Sequence, residues 1–299
     1  MTDMTSRRKT LKRDWFDNQP GAWVMVMLPA VAGFFIGEPN LDTLWLLATW
    51  AVCYCVQFSA AHWFKAHFSR RYLPPMLTYA VALIVIGLPF LITHTGILRW
   101  APLYIVLVAL SMLSSWLRKE RSLWGNAVAV LATSMMTVVI ASFGDRLPPL
   151  CGAGGSQVSC DAVAQYRQGI RALPDWRSWA DVQAWWPAYS VPKAALTAAI
   201  VFALTQYGSV LFVKTMIREY GKRSYLVASW VWHAALAITG FAVNMWLGVV
   251  AVVLLTQSVA IPLRFRGQRR PKPMIAGVTE AMCLLLVFIA VIIICPHLA

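Results

Sequence analysis

Residues 214–225, KTMIREYGKRSY, set four cations and one carboxylate between two long apolar runs, 191–213 and 224–263. Apolar runs of that length, interrupted only by a short charged segment, describe membrane-spanning helices joined by a hydrophilic elbow at one membrane surface. Reading outward from this elbow gives the rest of the fold.

Of the 299 residues, 59% are hydrophobic and 13% charged, too apolar a balance for a soluble domain of this size. The formal net charge of +14 raises nucleic acid as a partner. The cations, however, sit in short clusters at the ends of apolar runs, so membrane orientation accounts for them and no nucleic acid is expected. A bilayer core of about 30 Å needs about 20 apolar residues in a helix. Nine runs approach that length: 20–37, 42–61, 75–93, 100–117, 122–143, 191–213, 224–241, 244–263 and 273–295. The expected fold is all-α: a polytopic bundle of nine transmembrane helices in one membrane domain, 20–299, preceded by a basic N-terminus, 1–19. The seventh and eighth runs are separated only by Gly240 and Asn244.

With the N-terminus in the cytoplasm, the cytoplasmic segments are 1–19, 62–74, 118–121, 214–223 and 264–272. They carry 20 of the 26 Lys and Arg residues. This predicts a membrane protein with its N-terminus in the cytoplasm and its C-terminus outside. The first 19 residues are charged and the first apolar run is a full span without an A-x-A site, so no cleavable signal peptide is expected. The large external loop, 144–190, holds Cys151 and Cys160, spaced to close a disulfide in an oxidising compartment, with two free thiols as the alternative. Its segment 175–186, DWRSWADVQAWW, has tryptophans at near-helical spacing and reads as an interfacial helix. Cys53, Cys55, Cys283 and Cys295 match no metal-site spacing and are expected to pack; neither a metal nor another cofactor is implied.

An ionisable or amide side chain in hydrocarbon is costly unless it is paired or faces water. Gln57, Asn126, Gln206, Tyr207, Ser229, His233, Gln257, Ser258 and Glu280 fall at similar depth from the cytoplasmic ends of their runs, counting about 1.5 Å per residue. A belt of this kind predicts a cavity open to the cytoplasm; separate interhelical hydrogen bonds are the alternative. Glu280 is the carboxylate within a span, and with His233 it is the candidate catalytic or proton-carrying pair. Tyr225, Ser229 and His233 recur every four residues and so share one helix face. At the rim, Lys214, Arg218, Glu219 and Arg223 are matched by Glu120, Arg121 and Asn126 at the 118–126 connection. Such a set suits a phosphate or an anionic headgroup, against the simpler role of positive-inside anchoring.

The motifs QPGAWVMVMLPAVAG from Gln19, ERSLWGN from Glu120, VKTMIREYGKRSY from Val213 with His233 after it, and RPKPMIAGVTE from Arg270 resemble the YwiC-like family of bacterial membrane proteins. The resemblance extends over essentially all the spans, has its most specific piece in KTMIRE, and leaves out the external loop. Gln19, Trp23 and Lys272 join the candidate binding set through these motifs. Family members usually read N-Q-H-G-A-W where this chain has Pro20 in the place of the histidine, and N-D where it has Gly125-Asn126. Any role of that histidine or acid is therefore missing here. The resemblance implies no biochemical activity. A more distant similarity is to the UbiA-type prenyltransferases, which hold Mg²⁺ and a diphosphate through aspartate-rich motifs. This chain lacks those motifs. Three classes of function follow: a binder or modifier of a lipid-linked or phosphate-bearing substrate, a transporter of a small anion or amphiphile in which broken helices at Pro29 and Pro89 would take part, and a non-catalytic membrane scaffold. Membrane lipids are the expected partners.

Overall fold

The computed structural model describes residues 15, 20–119, 121–145, 171–173, 191–265 and 273–298. Among these residues the chain forms nine α-helices and no strand: α1 Pro20–Ile36, α2 Leu41–Lys65, α3 Leu73–Thr93, α4 Ala101–Trp116, α5 Leu123–Ser142, α6 Lys193–Val213, α7 Arg223–Val243, α8 Met245–Arg264 and α9 Pro273–Ile294. Eight helical segments are long and apolar enough to cross a membrane; α1, at 17 residues, is apolar but shorter. Short 3₁₀ turns precede α4 (Thr95–Trp100) and follow α9 (Cys295–His297).

The ends of the helices follow from local chemistry. Asn40 caps α2 by accepting from the Thr43 amide while Thr43 Oγ1 accepts from the Asn40 amide, a reciprocal box. Ser122 caps α5 by accepting from the Gly125 amide at 3.1 Å. The ambiguous run 224–263 divides into α7 and α8 at Asn244, whose side chain accepts from the Trp246 amide at 2.9 Å.

α1 lies at the centre, packed against α5, α9, α2 and α6. α7 and α8 form a tight antiparallel pair, and α3 and α4 sit at the opposite edge against α2 and α5. The fully buried core is drawn from Ala30, Ala32, Val138, Ile140, Ala195, Ala198 and Phe202. The outward faces of α3 and α4 expose Val81, Ile84, Val85, Ile92, Ile105 and Val106, which is the surface a bundle presents to lipid. α1 and α5 touch backbone to backbone. A Cβ on Gly33 would lie 2.4 Å from the Thr137 carbonyl oxygen, and one on Gly37 would lie 2.7 Å from Ala141 Cα. Two glycines four residues apart are what lets the helices approach this closely, where a larger residue would wedge them apart.

The prolines correct one expectation. α1 and α3 run unbroken through Pro29 and Pro89, as α8 does through Pro262. Proline removes the amide that would bond to the carbonyl four residues earlier, and a neighbouring helix supplies the donor instead. Pro29 frees the Met25 carbonyl, which accepts from Gln206 Nε2 of α6 at 2.9 Å. Pro262 frees the Ser258 carbonyl, which accepts from Trp230 Nε1 of α7 at 3.0 Å. Near Pro89, Trp45 Nε1 of α2 donates to the Ile86 carbonyl at 2.8 Å.

Candidate functional site

At the elbow, α6 passes into a π-helical turn, Lys214–Arg218, closed by the Glu219 amide donating to the Lys214 carbonyl at 2.8 Å. Such turns recur at functional sites. Its apolar side is anchored, because Phe212 and Met216 pack with Ala276 of α9 in a small buried cluster. Tyr220 Oη donates to the Phe265 carbonyl at the end of α8. Gly221, at φ +86°, supplies the left-handed residue that turns the chain toward α7.

The charged side chains then separate by role. Lys214 is buried, and its ammonium donates to the Arg121 carbonyl at 2.5 Å, tying α6 to the start of α5. Arg218 and Arg121 are exposed and close enough for each charge to act on the other, as Lys214 and Arg218 are. Glu219, the one acid in the turn, is paired with Lys222 at 2.7 Å. The Lys222 hydrogen bond holds the Glu219 carboxyl below the usual carboxylate range, and Glu219 in return raises Lys222. Three cations are thus brought close together, and Glu219, paired with Lys222, acts also on Lys214 and Arg218. Arg223 is exposed at the start of α7 and Tyr225, two residues on, is half-buried. Asn126 turns back on its own helix, donating from Nδ2 to the Ser122 carbonyl at 2.8 Å.

Deeper residues of the expected belt are joined pairwise across helices. Gln57 Nε2 donates to Ser111 Oγ at 2.9 Å, and Gln206 Oε1 accepts from Thr133 Oγ1 at 3.2 Å. His233 is buried on α7, its Nδ1 2.7 Å from the Ser229 carbonyl, while its other edge lies against Gly208 of α6. Ser229 Oγ is fully buried and has no hydrogen-bond partner among the described residues. Glu280 is buried on α9, near the side chains of Ser209 (α6) and Gln257 (α8). Gln257 Oε1 accepts from Cys283. Ser209 and Gly208 are neighbours on α6, so Glu280 and His233 approach consecutive residues of that helix. Lys214 is directed instead toward α5. Trp23 packs edge-on against Tyr54, ring centroids 4.8 Å apart. Gln19, Glu120, Lys272, Cys151, Cys160 and the segment 175–186 lie outside the described residues.

A cluster at the opposite end of the bundle was not anticipated. Asp42 Oδ2 lies 3.3 Å from His94 Nε2 and 2.5 Å from an Arg171 guanidinium nitrogen. Arg99, buried, donates to the Ala172 carbonyl at 2.9 Å. These contacts pin residues 171–173 onto the ends of α2 and α3. The available signal was the minority of cations that fall on the non-cytoplasmic side in the topology expected from the sequence. Arg99 and Arg171, exceptions to the charge bias, have structural partners.

Comparison with known proteins covers the first half of this architecture best. The family model described as "YwiC-like protein" matches residues 16–141, from just before α1 to the last turn of α5. A protein of Haemophilus influenzae, described as uncharacterized, is 22% identical over 221 residues, 74% of this chain and 75% of its own. No solved structure matches. The elbow and Glu280 lie beyond the stretch that the family model matches, so for that family the likeness expected across all the spans is carried by α1 to α5, while the 221-residue match to the uncharacterized relative extends further; the chain is similar to the YwiC-like family over residues 16–141.

Proposed function

We propose that the protein binds the phosphate of an anionic lipid headgroup or lipid-linked substrate at the Lys214–Arg218–Arg121 face. The convergence of these three cations carries the reading. Like charges held together cost free energy unless an anion or water offsets them, and Glu219, paired with Lys222, offsets Lys214 and Arg218 only in part, leaving a net positive face. Arginine guanidinium groups suit phosphate because their forked donors match its oxygens. The buried Lys214 bond to the Arg121 backbone fixes the distance between the two connections that bear the arginines. The same reading puts this face at the cytoplasmic surface of a bacterial membrane, on the side that receives 20 of the 26 cations.

The test is native mass spectrometry of the purified protein with its bound lipids. Arg121→Ala and Arg218→Ala should each lose at least about tenfold in occupancy by phosphate-bearing lipid, about 1.4 kcal/mol for one charge-assisted contact. Arg264→Ala, which removes an exposed cation at the end of α8, should leave occupancy unchanged. Equal losses in all three variants would reduce the cluster to general surface attraction, and unchanged occupancy in both Arg121→Ala and Arg218→Ala would overturn the site.

A further inference from the structure

Residues 171–173 form a short strap held on the end of the bundle by contacts that bracket one residue. Thr95 Oγ1 donates to the Arg171 carbonyl at 3.5 Å and accepts from the Leu173 amide at 3.3 Å. The Ala172 carbonyl between them accepts from the buried Arg99 at 2.9 Å. The Arg171 side chain pairs with Asp42 Oδ2 of α2, and that same oxygen lies 3.3 Å from His94 Nε2. The two cationic groups differ in burial: the Arg171 side chain is 54% exposed and that of His94 9%. His94 is fixed by stacking on Phe90, ring centroids 4.6 Å apart, with Phe143 at its edge. Since an ionised Asp42 only accepts, Nε2 carries a hydrogen, and the state of the ring is decided at Nδ1. Nδ1 lies 2.8 Å from Thr93 Oγ1. That hydroxyl can donate to a neutral ring, or turn its proton to the Pro89 carbonyl at 2.9 Å and accept from a protonated one.

We propose that Asp42 and His94 form a proton-operated latch for this strap, in which a proton on His94 replaces Arg171 as the cation paired with Asp42. With His94 neutral, Arg171 balances Asp42 and the strap is docked. Acid adds a proton at Nδ1, and the resulting imidazolium and the Arg171 guanidinium then compete for one carboxylate oxygen. Arg171, already half in water, leaves at the lower cost, while a buried imidazolium keeps its counterion. Linkage gives the same sign. Undocking Arg171 takes a positive charge away from His94 and favours its protonation, so acid favours undocking. Strap docking is therefore complete above the range in which His94 titrates and is lost as pH falls through it. The neighbouring elements leave Asp42 as the controlling anion. α3 and α4 bring no charged side chain to this end, and the 3₁₀ turn brings Arg99, a further cation under the strap. The remaining carboxylates here, Glu38 and Asp145, meet through the Asp145 amide and the Glu38 carbonyl at 3.4 Å and have contacts of their own. Among the described residues, Asp42 is the carboxylate within ion-pair distance of His94. The inference is independent of the anion face and stands without it.

The test is amide hydrogen exchange of the full-length protein in detergent, read on the peptide that carries Leu173 and corrected for the intrinsic exchange rate at each pH. The Leu173 amide reports the strap directly, because it donates to Thr95. Its protection should fall at least about tenfold from about pH 8 to about pH 5, the range in which a histidine changes charge, while peptides from the buried half of α5 keep theirs. His94→Gln, which can donate to Asp42 but takes up no proton, should keep the strap protected throughout. Arg171→Gln, at a half-exposed position, should leave it open at both ends of the range. Wild-type protection that is flat or rises in acid overturns the proposal. So does an acid response that survives in His94→Gln, because the titrating group would then be Asp42 itself. Should His94→Gln also lose the α5 protection, Arg171→Gln decides: an acid response retained without the arginine overturns the latch, and its loss supports it.

Discussion

At the scale of single residues, the polar side chains inside the bundle act first on backbone. Gln206 illustrates this, since its amide takes the carbonyl that Pro29 leaves without a donor. Gln206→Leu should cost about 1–3 kcal/mol, the penalty for a buried acceptor left unmade. The cost should shrink when Pro29→Ala is combined with it, because alanine restores the amide to the Met25 carbonyl. Thermal unfolding of the two single variants and the double variant in detergent measures this coupling; additive losses would mean that Gln206 is held for its contact with Thr133 alone. Sequence depth set Gln206 within an apolar span among polar residues, and in the structure it meets Thr133 and the Met25 carbonyl. The identity of its partner was not legible, because a backbone carbonyl freed by a proline 177 positions earlier leaves no mark near Gln206.

At the scale of elements, the π turn and elbow join α6 to α7 as a rigid, charged unit. Glu219 sits below the usual carboxylate range because Lys222 donates to it. The pair is therefore intact above the ordinary glutamate value and is lost as pH falls through the lowered one, releasing the Lys222 charge into the elbow. Because both groups are at the surface, the effect belongs to binding more than to stability. Binding of vesicles bearing a sulfated lipid, whose own charge is constant over this range, should strengthen on acidification in the wild type and stay flat in Glu219→Gln. Equal pH responses would separate Glu219 from the anion face. The helices themselves were readable: all nine runs became helices with ends shifted by a few residues, since length, apolarity and caps are local properties. The π turn was not, because it depends on how Met216 and Phe212 seat against α9.

At the scale of the whole molecule, charge bias and span count together predict that residues 39 and 224, separated by the five helices α2 to α6, lie on opposite sides of the membrane. In a chain with its native cysteines replaced, Ser224→Cys should react with an impermeant thiol reagent only from the cytoplasm, and Pro39→Cys only from the other side; the reverse pattern would invert the orientation. The bundle also has a time order. α1 is synthesised first, yet its Met25 carbonyl meets its donor 181 residues later and its Pro29 carbonyl meets Thr137 after 108. While the later helices are still being made, the first helix waits in the membrane with unfinished hydrogen bonds. A chain that stops short of α6 would expose that unfinished surface to the cell's membrane proteases, which could distinguish an incomplete bundle from a complete one before any activity is at stake.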